Sequence, residues 1–106
     1  MPVRINQDDH AVTAFLIGEI DHHSARQMRE EIDRTIESMH PTHLILDFSQ
    51  VTFMDSSGIG LVMGRYKALT LSGGQNMEVR GASNQTARVM KLAGLDKLAK
   101  INVEGK

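Results

Sequence analysis

The sequence predicts an α/β domain in which an N-terminal hairpin is followed by alternating helices and strands. These build a mixed, mostly parallel sheet covered by helices. Three observations carry that expectation. Two β-prone stretches, VRIN and VTAFLIGE, flank the polar turn QDDH. Beyond them, segments of helical periodicity alternate with short apolar runs, the pattern of parallel strands joined by helical crossovers. The chain is 106 residues long, which suits one core, so the reading is a single domain over residues 1–106.

Val3–Asn6 and Val12–Glu19 are rich in β-branched and aromatic residues, and Gly18 closes the second strand. In the segment after it, Ala25, Met28, Ile32, Ile36 and Met39 recur at helical spacing. Asp21 and Ser24 are both candidate N-caps, Ser24 with Gln27 makes a candidate capping box, and His40-Pro41 ends the helix. Its outer face pairs Arg26 with Glu30, Arg29 with Asp33 and Glu30 with Arg34, the pattern of an ordinary solvated surface. His43–Phe48 is nearly all apolar, as expected of a strand buried on both faces. A helix from about Ser56 to Leu71 follows and stops at Ser72-Gly73-Gly74. Asn76–Gly81 reads as a strand. The next segment reads as a helix capped by Ser83 or Asn84 and stopped at Gly94. LDKLAK reads as a short helical piece, and Ile101–Val103 as a last strand.

Composition removes several function classes. With 12 Lys+Arg against 13 Asp+Glu, no field of one sign points to nucleic acid or to a membrane surface. The absence of cysteine excludes disulfides and thiolate metal sites, and fits a cytoplasmic protein. No apolar run approaches the roughly 18 residues of a membrane span, and the first residues lack the shape of a signal peptide.

The chemically suggestive stretch is FMDSSGIG, Phe53–Gly60. A hydrolase elbow needs G-x-S-x-G, and Met54-Asp55-Ser56-Ser57-Gly58 lacks the first glycine. A dinucleotide loop needs G-x-G-x-x-G, and Gly58, Gly60 and Gly64 are spaced one residue too wide. No triphosphate loop is present either. Asp55, Ser56 and Ser57 are all good helix caps, so capping alone accounts for them. At about 100° per residue, Ile59, Val62, Met63, Tyr66 and Leu69 share the side expected to face the sheet, with Ser56 near it. Ser57 points the other way, along Leu61, Gly64 and Ala68, with Gly60 alongside. That stripe is small and apolar where a surface helix is normally charged. It admits two accounts: another element of the fold covers it, or it is a docking face with Ser57 at its entrance. Arg65 and Lys67 lie where they can touch a partner or its bound nucleotide, while Tyr66 suits the core. His22 and His23 are adjacent and cannot share a helix face, so no metal site is expected.

GEIDHHSA (Gly18–Ala25) and LDFSQVTFMDSSGIGLVMGRYK (Leu46–Lys67) together resemble the STAS domain family. Within it, they resemble the anti-sigma factor antagonists of the sporulation sigma-F system. The likeness runs from the hairpin to about Leu98, and departs after Val103, where members of the family often continue into a further helix. What it implies is a switch rather than an enzyme. The unmodified domain binds an anti-sigma factor that is also a serine protein kinase, and so frees the sigma factor. The kinase phosphorylates the second serine, Ser57 here, and a serine phosphatase restores it. Asp55 matches the acid before the serines, while Glu19 and Asp21 match the loop near the partner surface. The implied binding set is Glu19, Asp21, Asp55, Ser56, Ser57, Gly58, Gly60, Leu61 and Gly64. No cofactor, nucleic acid or membrane is implied. The alternative is a related antagonist or scaffold in a general stress-response pathway. In either case Leu61 is expected on the exposed stripe, and a phosphate on Ser57 is expected to meet a face without counter-charge.

Overall fold

Val3–Asp8 (β1) pairs antiparallel with Ala11–Ile20 (β2), joining Val3 to Leu16 and Asp8 to Ala11. From β2 onward every neighbour is parallel: His43–Met54 (β3), Asn76–Ala82 (β4) and Lys100–Val103 (β5) follow in sheet order β1-β2-β3-β4-β5. The computed structural model describes residues 2–104. Parallel neighbours need long crossovers, and three helices supply them: His22–Met39 (α1), Ser56–Leu71 (α2) and Asn84–Leu92 (α3). A 3₁₀ turn at Leu95–Lys97 precedes β5, so LDKLAK is helical only over its first half.

Burial alternates along the strands. Val12 and Ala14 of β2 stand level with Leu44 and Leu46 of β3, and these with Met77 and Val79 of β4, while Leu16 is buried at the register shift that follows. Met28, Ile32 and Ile36 of α1, Val62 and Leu69 of α2, and Ala87 and Met90 of α3 join the same core. On the opposite sheet face Thr13, Phe15, Ile45 and Glu78 are only half-buried, and the Arg4 guanidinium lies 4.3 Å from the Phe15 ring centre. The expectation that His43–Phe48 is buried on both faces is therefore corrected: Ile45 sits on the lightly covered side. An apolar residue there reads the same in sequence whichever face it occupies.

Strand β2 carries its register shifts between Phe15 and Ile17 and between Gly18 and Glu19. Gly18 sits at φ +91°, a conformation that side-chain-bearing residues rarely adopt. The irregularity re-aims the last residues of β2 just before α1 begins. Replacing Gly18 with Ala should therefore cost about 1–3 kcal/mol, read from urea denaturation. No steric clash contributes, since a Cβ there meets nothing within 4 Å. Unchanged stability would show that the local backbone relaxes freely.

Candidate functional site

Two strand-to-helix turns stand side by side. Parallel pairing sets Glu19 against Phe53 and Ile20 against Met54, so β2 and β3 end level. Each then hands over to a helix through a single aspartate. Asp21 caps α1: its carboxylate accepts the Ser24 N–H at 2.9 Å, and the Ser24 hydroxyl accepts the Asp21 N–H at 2.9 Å. The capping box is thus Asp21 with Ser24 rather than Ser24 with Gln27, because the helix starts two residues earlier than Ser24. The Ser24 hydroxyl also donates to the Glu19 carbonyl at 2.6 Å, tying the end of β2 to the first turn of α1. Asp55 caps α2 by accepting the Ser57 N–H at 2.7 Å, and its own N–H donates to the Ile20 carbonyl at 3.1 Å. The second bond stitches one turn to the other.

These contacts bring Asp21, Asp55, Ser56 and Ser57 to one end of the sheet, with the exposed Glu19 side chain beside them. The backbone N–H of Ser24, then its hydroxyl, holds the Asp21 carboxyl below the ordinary aspartate range. Ser56 is exposed, whereas Ser57 is half-buried and its hydroxyl makes no hydrogen bond among the described residues. Phe53, just before the block, is 54% exposed, an apolar ring at the rim that sequence periodicity did not single out.

The buried side of α2 is Gly58, Leu61, Val62, Arg65 and Leu69. This corrects the placing of Leu61 on an open face: it is 4% exposed, and an arginine there would bury a charge. Met63, expected against the sheet, is 44% exposed. Both differences have one cause. Helix α2 packs on α1 as well as on the sheet, so its buried arc is turned toward α1. Asp33 of α1 meets Arg65 of α2 with 2.8 Å between Oδ1 and Nε. The N–H is not aligned on the oxygen, so this is an ion pair rather than a directed hydrogen bond. Arg65 is 6% exposed, so its guanidinium is held inside the fold rather than offered to a partner. It also replaces the Arg29–Asp33 pairing expected along α1, and Arg34 pairs with Glu31 instead of Glu30. Burial pushes the Asp33 carboxyl up, with Arg65 pulling it back, and burial draws Arg65 below its usual value. At the far ends of the two helices, His40 Nδ1 and Ser72 Oγ lie 2.7 Å apart.

Between those two ties and the capped turns lies a groove of about 440 Å³. Ser57, Gly60, Leu61 and Gly64 line it from α2, and His22, Arg26 and Arg29 from α1, with Arg65 also reaching it. The two sets have matching helical spacing, i, i+3/i+4, i+7, so they run along facing ridges. The stripe thus has a neighbour within the fold, and that neighbour is basic; the expected absence of counter-charge is corrected. Arg26 and Arg29 read as plain solvated residues in the sequence. The missed signal was their stripe with His22, pointing the same way as the Asp21-capped turn. The glycines divide. A methyl on Gly58 would overlap the Met54 side chain, while at Gly60 and Gly64 it would meet nothing within 4 Å.

Among the described residues, no helix is long and apolar enough to cross a membrane. The STAS domain family model matches residues 2–104. The anti-sigma F factor antagonist of Paenibacillus polymyxa is 33% identical over 103 residues, covering 95% of this chain and 87% of that one. The anti-sigma-B factor antagonist of Listeria monocytogenes is 29% identical over 104 residues, covering 97% and 89%. Among solved structures, the anti-sigma factor antagonist SpoIIAA in its unphosphorylated form superposes with a TM-score of 0.74 at 28% identity, over 98% of this chain and 89% of that one. The Bacillus cell fate determinant SpoIIAA in the phosphorylated form gives 0.72 at 31% identity, over 93% and 89%.

Two predictions come from this geometry. Gly60→Ala and Gly64→Ala should each stabilise the isolated domain by about 0.5–1 kcal/mol, because alanine is the better helix former and the space is free. A loss of stability in urea melts would show a contact the groove does not reveal. For Asp21, the folded value lies below the ordinary 3.8. Its stabilisation is therefore present above about that pH and is lost as pH falls through the folded value. Asp21→Asn keeps a capping oxygen and should flatten the acid limb of stability against pH. An unchanged limb would remove Asp21 from the acid response.

Proposed function

The chain belongs to the STAS domain family, and on that premise we propose that it is a single-domain, phosphorylation-switched anti-sigma factor antagonist. In its unmodified form it binds an anti-sigma factor that is also a serine kinase, releasing a sporulation sigma factor. Phosphorylation of Ser57 ends that binding, and a serine phosphatase restores it. The domain acts in the cytoplasm as substrate and binding module, with no chemistry of its own.

One observation carries the reading: a half-buried serine hydroxyl without a hydrogen bond among the described residues, in the first turn of α2, beside a second capped turn. A kinase needs a hydroxyl free to present, and a partner surface needs a rigid frame. Ser57 has both, because Asp55 binds its N–H and leaves its Oγ unengaged. The proposed partner surface is Glu19, Asp21, Asp55, Ser56, Ser57, Gly58, Gly60 and Gly64, with Leu61 as the floor of the groove rather than a projecting contact. The likeness to anti-sigma F antagonists supports the sporulation pathway. The likeness to anti-sigma-B antagonists supports a second reading, in which the same switch serves a general stress response. Binding of the purified domain to each class of anti-sigma factor separates the two.

Closing a partner over a phosphoserine strips water from about −1.5 to −2 charges. Phosphorylation should therefore weaken partner binding more than about a hundredfold, or ~3 kcal/mol. After incubation with the anti-sigma kinase and ATP, mass spectrometry should place phosphate on Ser57. Ser57→Ala should bind and resist inactivation, Ser57→Asp should bind more weakly, and Ser56→Ala should still be phosphorylated. Phosphate on Ser56, or calorimetric affinity unchanged by phosphorylation, would overturn the assignment.

A further inference from the structure

The groove beside Ser57 is lined by three guanidinium side chains and, among the described residues, by no carboxylate. Arg26, Arg29 and Arg65 all line it. Arg65 is committed to Asp33 at 2.8 Å, yet its buried Nε has no aligned hydrogen bond. Arg26 approaches Glu30 at 3.7 Å, with both side chains more than half exposed, a contact that solvent weakens. Arg29 has no carboxylate within ion-pair distance among the described residues. Instead its charge bears on Asp33 and Arg65, pulling both below where burial and their own pairing would leave them. Three cations thus line the groove while their ion-pair partners Glu30 and Asp33 lie outside its lining, around space that a Cβ on Gly60 or Gly64 would not fill.

We propose that Arg26 and Arg29 are an internal latch that draws the phosphate on Ser57 into the groove between α1 and α2, with the buried Arg65 charge behind them. This rests on reading Ser57 as the modified residue. Guanidinium forks match phosphate oxygens in paired hydrogen bonds, and arginines on a facing helix ridge are the residues such a phosphate reaches. Asp55, whose carboxylate lies 2.7 Å from the Ser57 N–H, repels the phosphate from the cap side and so favours the groove. His22 lines the same groove, and Asp21 heads the neighbouring turn. Once latched, the phosphate occupies the groove that the unmodified domain leaves open. Modification then removes the docking surface by filling it, with the fold unchanged.

The test uses the full chain with phosphoserine encoded at position 57, so that no kinase is needed. Phosphorus NMR titration reads the second ionisation of the phosphate, which lies near pH 6 when unperturbed. In the parent it should fall by about one unit, because nearby cations favour the dianion. Arg26→Gln with Arg29→Gln should return it toward its ordinary value, whereas Arg26→Lys with Arg29→Lys should keep most of the shift. All are exposed helix positions and the replacements are good helix formers. Should the double glutamine variant lose its cooperative melt, Arg29→Gln alone carries the comparison. A parent value at or above about 6, or the same value in parent and glutamine variant, overturns the latch. Kinase-derived phosphate mapped elsewhere would sink the functional reading and leave this titration standing. Phosphate on Ser57 with an unshifted titration would sink the latch alone.

Discussion

The level ending of β2 and β3 is the constraint on which the rest of the site depends. Parallel neighbours can be joined only by crossovers, so each must pass its chain into a helix at the same edge of the sheet. The bond from the Asp55 N–H to the Ile20 carbonyl, at 3.1 Å, fixes how far the two strands run before that happens. Two helix N-termini therefore arrive together, each leaving backbone N–H groups to satisfy. Asp21 and Asp55 do this with short side chains that fold back on their own first turns. Capping and presentation are the same act here. The carboxylate that satisfies the Ser57 N–H also holds Ser57 where its hydroxyl is free.

The second determinant is the pairing of α1 with α2. A buried ion pair is a poor source of net stability, since desolvation offsets most of the attraction. Asp33 and Arg65 serve geometry instead: one charge on each helix meets the other at 2.8 Å, which gives the two helices a preferred register. With His40 and Ser72 joined at the far ends and the capped turns stitched by the Asp55–Ile20 bond, the open space between the helices is confined to the groove in between. The groove begins at those turns, beside Ser57. Arg26 and Arg29 line it together with Gly60 and Gly64, whose lack of side chains leaves the space open.

In the proposed switch, charge and space at this groove decide how a phosphate on Ser57 would alter the docking face. A phosphate at the first turn of a helix adds negative charge where the dipole tolerates it. On Ser57 it would also stand beside Arg26 and Arg29, which line the same groove. The surface that a partner would cover is thus altered in charge, shape and hydration at once, over a few residues. The core of Leu16, Leu44, Leu46, Ile32 and Ile36 lies beneath and has no need to move.

The order of elements was legible in the sequence because strand and helix periodicities differ and each element carries its own boundary signals: α2 runs Ser56–Leu71 as its spacing indicated. The candidate caps were legible for the same reason, since a cap acts on residues two or three positions away, while the choice of Asp21 over Ser24 and of Asp55 over the serines came from the structure. Other features were decided only by the tertiary structure. Periodicity gives the angle of a side chain about its own helix axis, but leaves open how many neighbours that helix has. Periodicity places Leu61 on an exposed stripe because it gives α2 one buried side, and packing against α1 gives it two. Spacing of four residues pairs Asp33 with Arg29, yet Arg65, thirty-two residues away in sequence, is the partner at 2.8 Å. The basic wall facing Ser57 was hidden likewise. Local rules describe a residue against its own element, and a groove between two helices is a property of the pair.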